Sequence, residues 1–371
     1  MKICHFSDSH LGAGENHPRR GPSGLTLRQE DIIRSFVEVV DRIIEIKPDV
    51  CVHSGDLFHT VRPLNAVMAI AGRELHRMAH VHGIPTVIIT GNHDAPRRPY
   101  VGAALEVFRY IDNLFIAAAG RLEVFDINGA RFFALPHCLT TGVLNAELTR
   151  CVPETGASYN VMVLHGVAAG MPQFSMADLG EQEVPLQAMD RFDYTALGHF
   201  HNYCRVAPRA YYSGSSERLS QAERESAKGF LEVDLEPFGV NFHEVSSRQM
   251  VDIPPIDAAG KRGDQVVALI TQRLAEIDSS DKIVRVNVQG VSQETVKTMP
   301  AEVIAELKER SFALDIRLEK EKDAQADLQF GRSAIGRLDR SFLNYLETVD
   351  LEGFDRDRLR RNAVKYLTPD D

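Results

Sequence analysis

Five short groups of polar residues each follow an apolar stretch of the chain: Asp8 with His10, Gly55-Asp56, Gly91-Asn92-His93-Asp94, His165-Gly166, and Gly198-His199-Phe200-His201. Asp, Asn and His together offer hard oxygen and borderline nitrogen donors with no thiolate. That set suits manganese, iron or zinc better than copper(I) or an iron–sulfur cluster. There are more donors than one ion needs. A carboxylate bridging two cations about 3.5–4 Å apart would build a two-metal hydrolytic centre, the usual device for phosphate esters. The glycines among them let the backbone turn sharply and come close to a ligand. Singly, a strand-end Asp or His is more often a cap, a turn or a satisfied core group; it is the repetition that indicates a site.

The elements that must position these residues are legible in the hydrophobic pattern. From Met1 to about Asp234, short apolar runs alternate with helix-period segments, as in an α/β layered domain of parallel strands and crossover helices. Strands are expected at Lys2–Phe6, Asp49–His53, Thr86–Ile89, Arg131–Leu135, Asn160–Leu164, Tyr194–Leu197 and Ala210–Tyr212. In open α/β sheets ligands bind beyond the carboxyl ends of the strands, so the five loops should converge. A helix begins near Thr26, where Thr26 and Gln29 have capping-box spacing, and Pro48 stops it. After Glu236 the turn-prone Pro-Phe-Gly, Pro254-Pro255 and the polar Ala258–Asp264 stretch read as a connection to a smaller unit. That unit pairs helix-like Gln265–Ile277 and Ala301–Arg310 with alternating Lys282–Gln289 and Phe312–Leu318, an α+β pattern. Ala334–Leu367 is helical in pattern. The expected division is therefore 1–235, 236–330 and a helical tail, 331–371.

D-x-H, G-D, G-N-H-D, H-G and G-H-x-H in this order resemble the calcineurin-like metallophosphoesterases. Gly55-Asp56-Leu57-Phe58-His59, the helix start from Leu27-Arg28 to Phe36, and Tyr212-Ser213-Gly214-Ser215-Ser216-Glu217-Arg218 narrow the resemblance to the SbcD-type DNA repair exonucleases. It covers the first 235 residues, weakens over the following unit and returns faintly in the tail. The resemblance implies a β-sandwich flanked by helices, with a smaller cap domain. It also implies two divalent cations, Mn2+ in the first instance. Asp8, His10, Asp56 and His201 would hold one, and Asp56, Asn92, His165 and His199 the other, with Asp56 the bridge and a metal-activated water attacking phosphorus. His93 would face the phosphate and serve the leaving oxygen, Asp94 would orient its ring, and His59 would lie near the same substrate. The implied activity is DNA exonuclease and endonuclease cleavage in double-strand-break repair. The implied partner is an SbcC-type coiled-coil ATPase, with Leu338, Phe342, Tyr345 and Leu346 of the tail as its docking face; a homodimer is compatible with this.

Arg19 and Arg20 follow the first metal loop and Arg97 and Arg98 follow the third, so both pairs are candidates for the nucleic-acid backbone. His5 and His53 lie in apolar strands and are expected to be hydrogen-bonded core groups. His76 and His80 have i, i+4 spacing but no neighbouring Glu of a zinc protease, and His137 has no assigned role. No G-x-x-x-x-G-K-[ST] and no G-x-S-x-G occurs, which argues against ATP hydrolysis and serine-hydrolase chemistry. A small-molecule phosphoesterase, such as one for cyclic nucleotides, shares the same centre and remains the alternative. An inactive binding scaffold is disfavoured because every ligand position and His93 are filled.

The 371 residues are 44% hydrophobic, enough for sizeable cores, and 42 Lys and Arg against 52 Asp and Glu give a net charge of -10. An anionic substrate must be attracted locally, not by a global field. Five cysteines, none in a C-x-x-C pair, argue against a disulfide framework or a cysteine zinc site. With no leader-like or membrane-spanning segment in view, a cytoplasmic protein is expected.

Overall fold

The computed structural model describes residues 1–98, 101–170 and 182–320. The chain divides into two compact units. The first comprises Met1–Asp252 with Ser279–Val284 and Ser311–Ala313; the second comprises Ile253–Asp278, Arg285–Arg310 and the chain from Leu314.

The first unit contains two six-stranded sheets. Four parallel strands of one sheet are β1 (Lys2–Phe6), β2 (Val50–His53), β3 (Thr86–Ile89) and β4 (Leu114–Ala117). Next in the chain come β5 (Glu123–Ile127), β6 (Ala130–Leu135) and β7 (Tyr159–His165), then the short pair β8 (Val167–Ala168) and β9 (Glu183–Val184). They are followed by β10 (Tyr194–Gly198), β11 (Cys204–Ala207), β12 (Ala210–Tyr212), β13 (Gly229–Leu235) and β14 (Phe238–Glu244). The sheet orders are β14-β13-β1-β2-β3-β4 and β11-β12-β10-β7-β6-β5. Each keeps a parallel centre, and antiparallel pairing with β13, β14, β5 and β11 extends it. The expected parallel sheet is thus a pair of mixed sheets.

Alternation along the strands explains the layering. Ile3, Val50, Val52, Val87 and Ile89 of one sheet meet Phe132, Ala134, Val161, Val163 and Ala196 of the other in one core. Cys4, Phe6 and Cys51 point the opposite way, into a core with Ile32, Phe36, Val40 and Ile43 of α1 (Leu27–Ile46) and Val67, Ala71 and Leu75 of α2 (Asn65–His76). Leu144 and Leu148 of α3 (Thr141–Arg150) cover the outer face of the second sheet with Phe133, Met162 and Leu164. Strands buried on both faces read as continuous apolar runs, which is how β1, β2, β3, β7 and β10 are legible in the sequence, whereas β4 and β13, buried on both faces as well, are not among the expected strands. The result is a helix-flanked β-sandwich, with α1 starting at the Thr26–Gln29 capping box. Both expected core histidines are hydrogen-bonded: His5 bonds Tyr194 Oη and Ser54 Oγ at 2.8 Å each, and His53 Nε2 meets Ser9 Oγ at 3.0 Å; Cys4 and Cys51 are buried free thiols.

β15 (Met250–Asp257), β16 (Ile283–Val291) and β17 (Ala313–Lys320) form a three-stranded sheet in that order, most of whose residues belong to the second unit, and that unit also contains helices Gly263–Ala275 and Ala301–Arg310. Pro254-Pro255 therefore lies inside a strand and not in a connection. β15 is an edge strand and both prolines are exposed, the setting in which a missing N–H does no harm. The first unit extends through β14 to Asp252, beyond the expected division at residue 235. The tail expected at 331–371 lies outside the described residues. No helix among the described residues is long and apolar enough to cross a membrane.

Candidate metal centre

All five polar groups leave the carboxyl ends of parallel strands. β1 leads to Asp8 and His10, β2 to Asp56, and β3 to the Gly91–Asp94 loop. β7 ends on His165, which pairs in register with Gly198 at the end of β10. Backbone bonds zip the loops together: Asp8 N–H to Gly55 O at 3.0 Å, His10 N–H to Asp56 O at 3.0 Å, and His59 N–H to Leu11 O at 3.1 Å. Asp8, His10, Asp56 and His199 all have positive φ, from 45° to 106°. Backbone strain in non-glycine residues is tolerated where the surroundings over-determine it, and it clusters at functional sites. A side chain at Gly91 would run into the Asp56 carboxylate, so that glycine is required for close approach.

Asp8, His10, Asp56 and His165 are at most 2% exposed. His10 Nε2 lies 3.1 Å from His201 Nε2 and 3.6 Å from Asp56 Oδ2. His165 Nε2 lies 2.9 Å from Asn92 Oδ1 and 3.4 Å from Asp56 Oδ2, and His199 Nδ1 is 3.2 Å from Asn92 Oδ1. Asp56 thus stands between two clusters, while Asp8 receives the His199 N–H at 3.1 Å. The ligand atoms of Asp8, His10 and His201, and those of Asp8, Asp56 and His165, are each mutually within 4.8 Å.

Tautomers decide what the convergence means. A carboxylate and a carbonyl only accept, so His201 Nδ1 donates to Glu223 at 3.1 Å and His165 Nδ1 donates to Ser54 O at 2.9 Å. Both rings then turn Nε2 toward other lone pairs, an arrangement that needs a proton or a cation between the partners. Carboxylate or carbonyl support behind a ligating His is the usual outer shell of a metal site. Burial opposes ionisation of Asp56, but His165 and His10 outweigh it and hold its carboxyl well below the usual range. Burial likewise works against a charged His165, yet the Asp56 carboxylate pushes it up to about 9. Burial, reinforced by His165, drops His199 to about 3, and burial holds His10 well below normal. The donor set fits divalent cations.

Behind His201 sits a pair that sequence reading missed. Glu223 accepts from His201 and, at 2.6 Å, from Lys228 Nζ, whose side chain is fully buried and also donates to His201 O and Ser215 Oγ. Burial opposes the charge on Glu223, but these donors hold its carboxyl at about 2. No motif spacing marks Glu223 or Lys228; only the fold joins them to His201.

His93 and His59 stack with ring centroids 5.1 Å apart, and His59 Nδ1 lies 3.2 Å from His10 Nδ1. His93 Nδ1 donates to the His59 carbonyl at 3.1 Å. The ring-orienting role expected of Asp94 therefore falls to that carbonyl. Asp94 is buried and accepts the Gly91 and Phe58 N–H groups, fastening two metal loops; burial beside Asp56 pushes its carboxyl up to about 8. Arg19 donates to the Ser311 and Phe312 carbonyls at 2.7 and 2.6 Å, Arg20 to Gly24 O at 2.8 Å, and Arg97 and Arg98 are exposed. His76 and His80 lie side by side at the surface, His80 facing Asp112 at 3.2 Å.

The chain is 28% identical to the DNA double-strand break repair protein Mre11 of Methanocaldococcus jannaschii, over 68% of this chain and 67% of the relative. It is 27% identical to the protein of that name from Haloferax volcanii, over 88% and 69% of the two chains. For the Sulfolobus acidocaldarius protein of that name the identity is 27%, over 78% and 75%. Residues 1–203, more than half of the chain and the stretch that holds all five loops, match the model of the calcineurin-like phosphoesterases, and the chain belongs to that family.

Proposed function

We propose that this phosphoesterase is a DNA phosphodiesterase with two divalent cations, acting as an exonuclease and endonuclease in double-strand-break repair. The observation that carries the reading is the convergence of donors on both sides of Asp56. Asp8, His10, Asp56 and His201 would hold one cation, and Asp56, Asn92, His165 and His199 the other, with Mn2+ the proposed ion among those that suit the O/N set. Bound there, the cations would activate water and neutralise the phosphate. The chain's own residues supply the rest. His59's carbonyl takes the Nδ1–H of His93, so Nε2 is the nitrogen that, in the doubly protonated ring, would give a proton to the leaving oxygen. Glu223 holds His201 in its ligating tautomer, and Ser54 does the same for His165.

DNA as substrate is supported by the Mre11 relatives and by exposed Arg20, Arg97 and Arg98 beside the loops, which would make local phosphate contacts despite the net charge of -10. Arg19, spent on Ser311 and Phe312, fits a structural role better. An SbcC-type ATPase is the proposed partner, since no ATP-binding motif occurs in this chain; a homodimer and a cytoplasmic location belong to the same reading. Purified protein should cleave labelled linear DNA with Mn2+ and not with chelator. Turnover of a cyclic nucleotide without cleavage of linear or circular single-stranded DNA would favour the small-molecule alternative instead.

A further inference from the structure

We propose that a cavity beside the metal centre seats the nucleobase of the nucleotide undergoing cleavage, with His137 as its polar contact. This rests on the phosphodiesterase reading above. The cavity measures about 440 Å³, within the roughly 300–1,000 Å³ of small-ligand sites.

Its position follows from the Gly91–Asp94 loop. Ala95 and Pro96, which follow Asp94 directly, line the cavity, and Ala95 N–H donates back to Gly91 O at 3.0 Å. One loop therefore carries Asn92 and His93 into the metal centre and continues into the cavity wall. His137 lies beyond the end of β6, and its N–H donates to the carbonyl of Thr90, just before the same loop, at 2.9 Å. His137 also lies close enough to His165, Asp56 and His199 for their charges to act on one another, so a nucleotide whose phosphate sat at the cations would have this space on the side of the Gly91–Asp94 loop.

The lining chemistry selects the occupant. Leu139 and Val143 add apolar wall, and the titratable groups among the described lining residues are His137 and Glu106. Glu106 is held by Arg109 through contacts of 2.6 and 2.8 Å, and no Lys or Arg is among the described lining residues. The nearest guanidinium acting on His137 is that of Arg97, which is exposed and not among the described lining residues, and a cation finds one carboxylate already engaged. A neutral ring with apolar faces and a polar edge fits. Burial, with His165 nearby, lowers His137 to about 4, so the ring is neutral at pH 7 and can give or take a hydrogen bond.

Methyl p-nitrophenyl phosphate and thymidine 5′-(p-nitrophenyl phosphate) share a leaving group and differ in methyl against nucleoside. Ala119→Phe, at an exposed lining position, should lower kcat/KM for the thymidine ester at least tenfold, through KM, and leave the methyl ester within twofold. Parallel loss on both esters, or no loss on either, overturns the proposal. A second measurement needs no turnover. dTMP added to the full chain in EDTA should shift the His137 ring resonances, assigned by their loss in His137→Ala, and should not shift them in Ala119→Phe. An unshifted His137 in the unaltered protein overturns the inference whatever the esters do. A shifted His137 in a protein that hydrolyses neither ester supports the cavity while rejecting the phosphodiesterase reading.

Discussion

His93 keeps Nδ1 on the His59 carbonyl, which leaves Nε2 as the nitrogen free to reach a leaving oxygen. His93→Ala should therefore retain bound Mn2+ while turnover falls by about a hundredfold, the range for a lost acid–base group; equal loss of metal and rate in the same preparation would make His93 a ligand. Glu223 acts one shell further out. Glu223→Gln removes the charge that fixes the His201 tautomer, and Mn2+ affinity at one of the two sites should drop about 10–100-fold in an EPR titration. Two unchanged binding steps would reduce Glu223 to a packing group. The residues proposed to hold the cations were legible as candidates because each follows an apolar strand in a short polar cluster. Glu223 and Lys228 were not, since a buried acid and base five residues apart look like any charged turn until His201, 22 residues earlier, is seen against them.

The strands that deliver the loops are buried on both faces, so β1, β2, β3, β7, β10 and β12 were found close to their true bounds. β14 was missed because most of its side chains are only partly buried, and β15 because Pro254-Pro255 mimics a break. Helix α1 does more than cover a sheet. Its Asp31 accepts two bonds from Arg248, one from Arg34 at 2.5 Å, and lies near Arg28. Arg248 in turn packs over the Phe312 ring at 3.6 Å and donates to Asp281 O, which ties the returning segments of the first unit to α1. Burial opposes ionisation of Asp31, but Arg248 and Arg34 win and its folded pKa is lowered. A depressed carboxyl contributes stability that is present above its unfolded pKa of about 3.9 and lost as pH falls through the folded value. Asp31→Asn should cost roughly 2–3 kcal/mol at pH 7 in urea unfolding, by loss of charge-assisted bonds, and the gap to the unaltered protein should narrow below about pH 4. A gap that does not change with pH would mean that the charge is not what holds the segments.

At the scale of the whole chain, the proposed metal donors lie in the first unit, and residues 333–371 lie outside the described residues. Deleting 333–371 should abolish co-purification with a coiled-coil ATPase and spare Mn2+-dependent cleavage of a short substrate. Loss of that cleavage would place the tail in the enzyme's own fold. The net charge of -10 makes a long-range pull on DNA unavailable, so catalysis depends on what is concentrated at one end of the sandwich. Anomalous diffraction at the manganese edge, from crystals soaked in Mn2+, tests that concentration most directly. Two peaks about 3.5–4 Å apart are expected on either side of Asp56, one also touched by Asp8, His10 and His201 and the other by Asn92, His165 and His199, with both depleted in Asp56→Asn. A single peak, or peaks away from Asp56, would contradict the dinuclear centre.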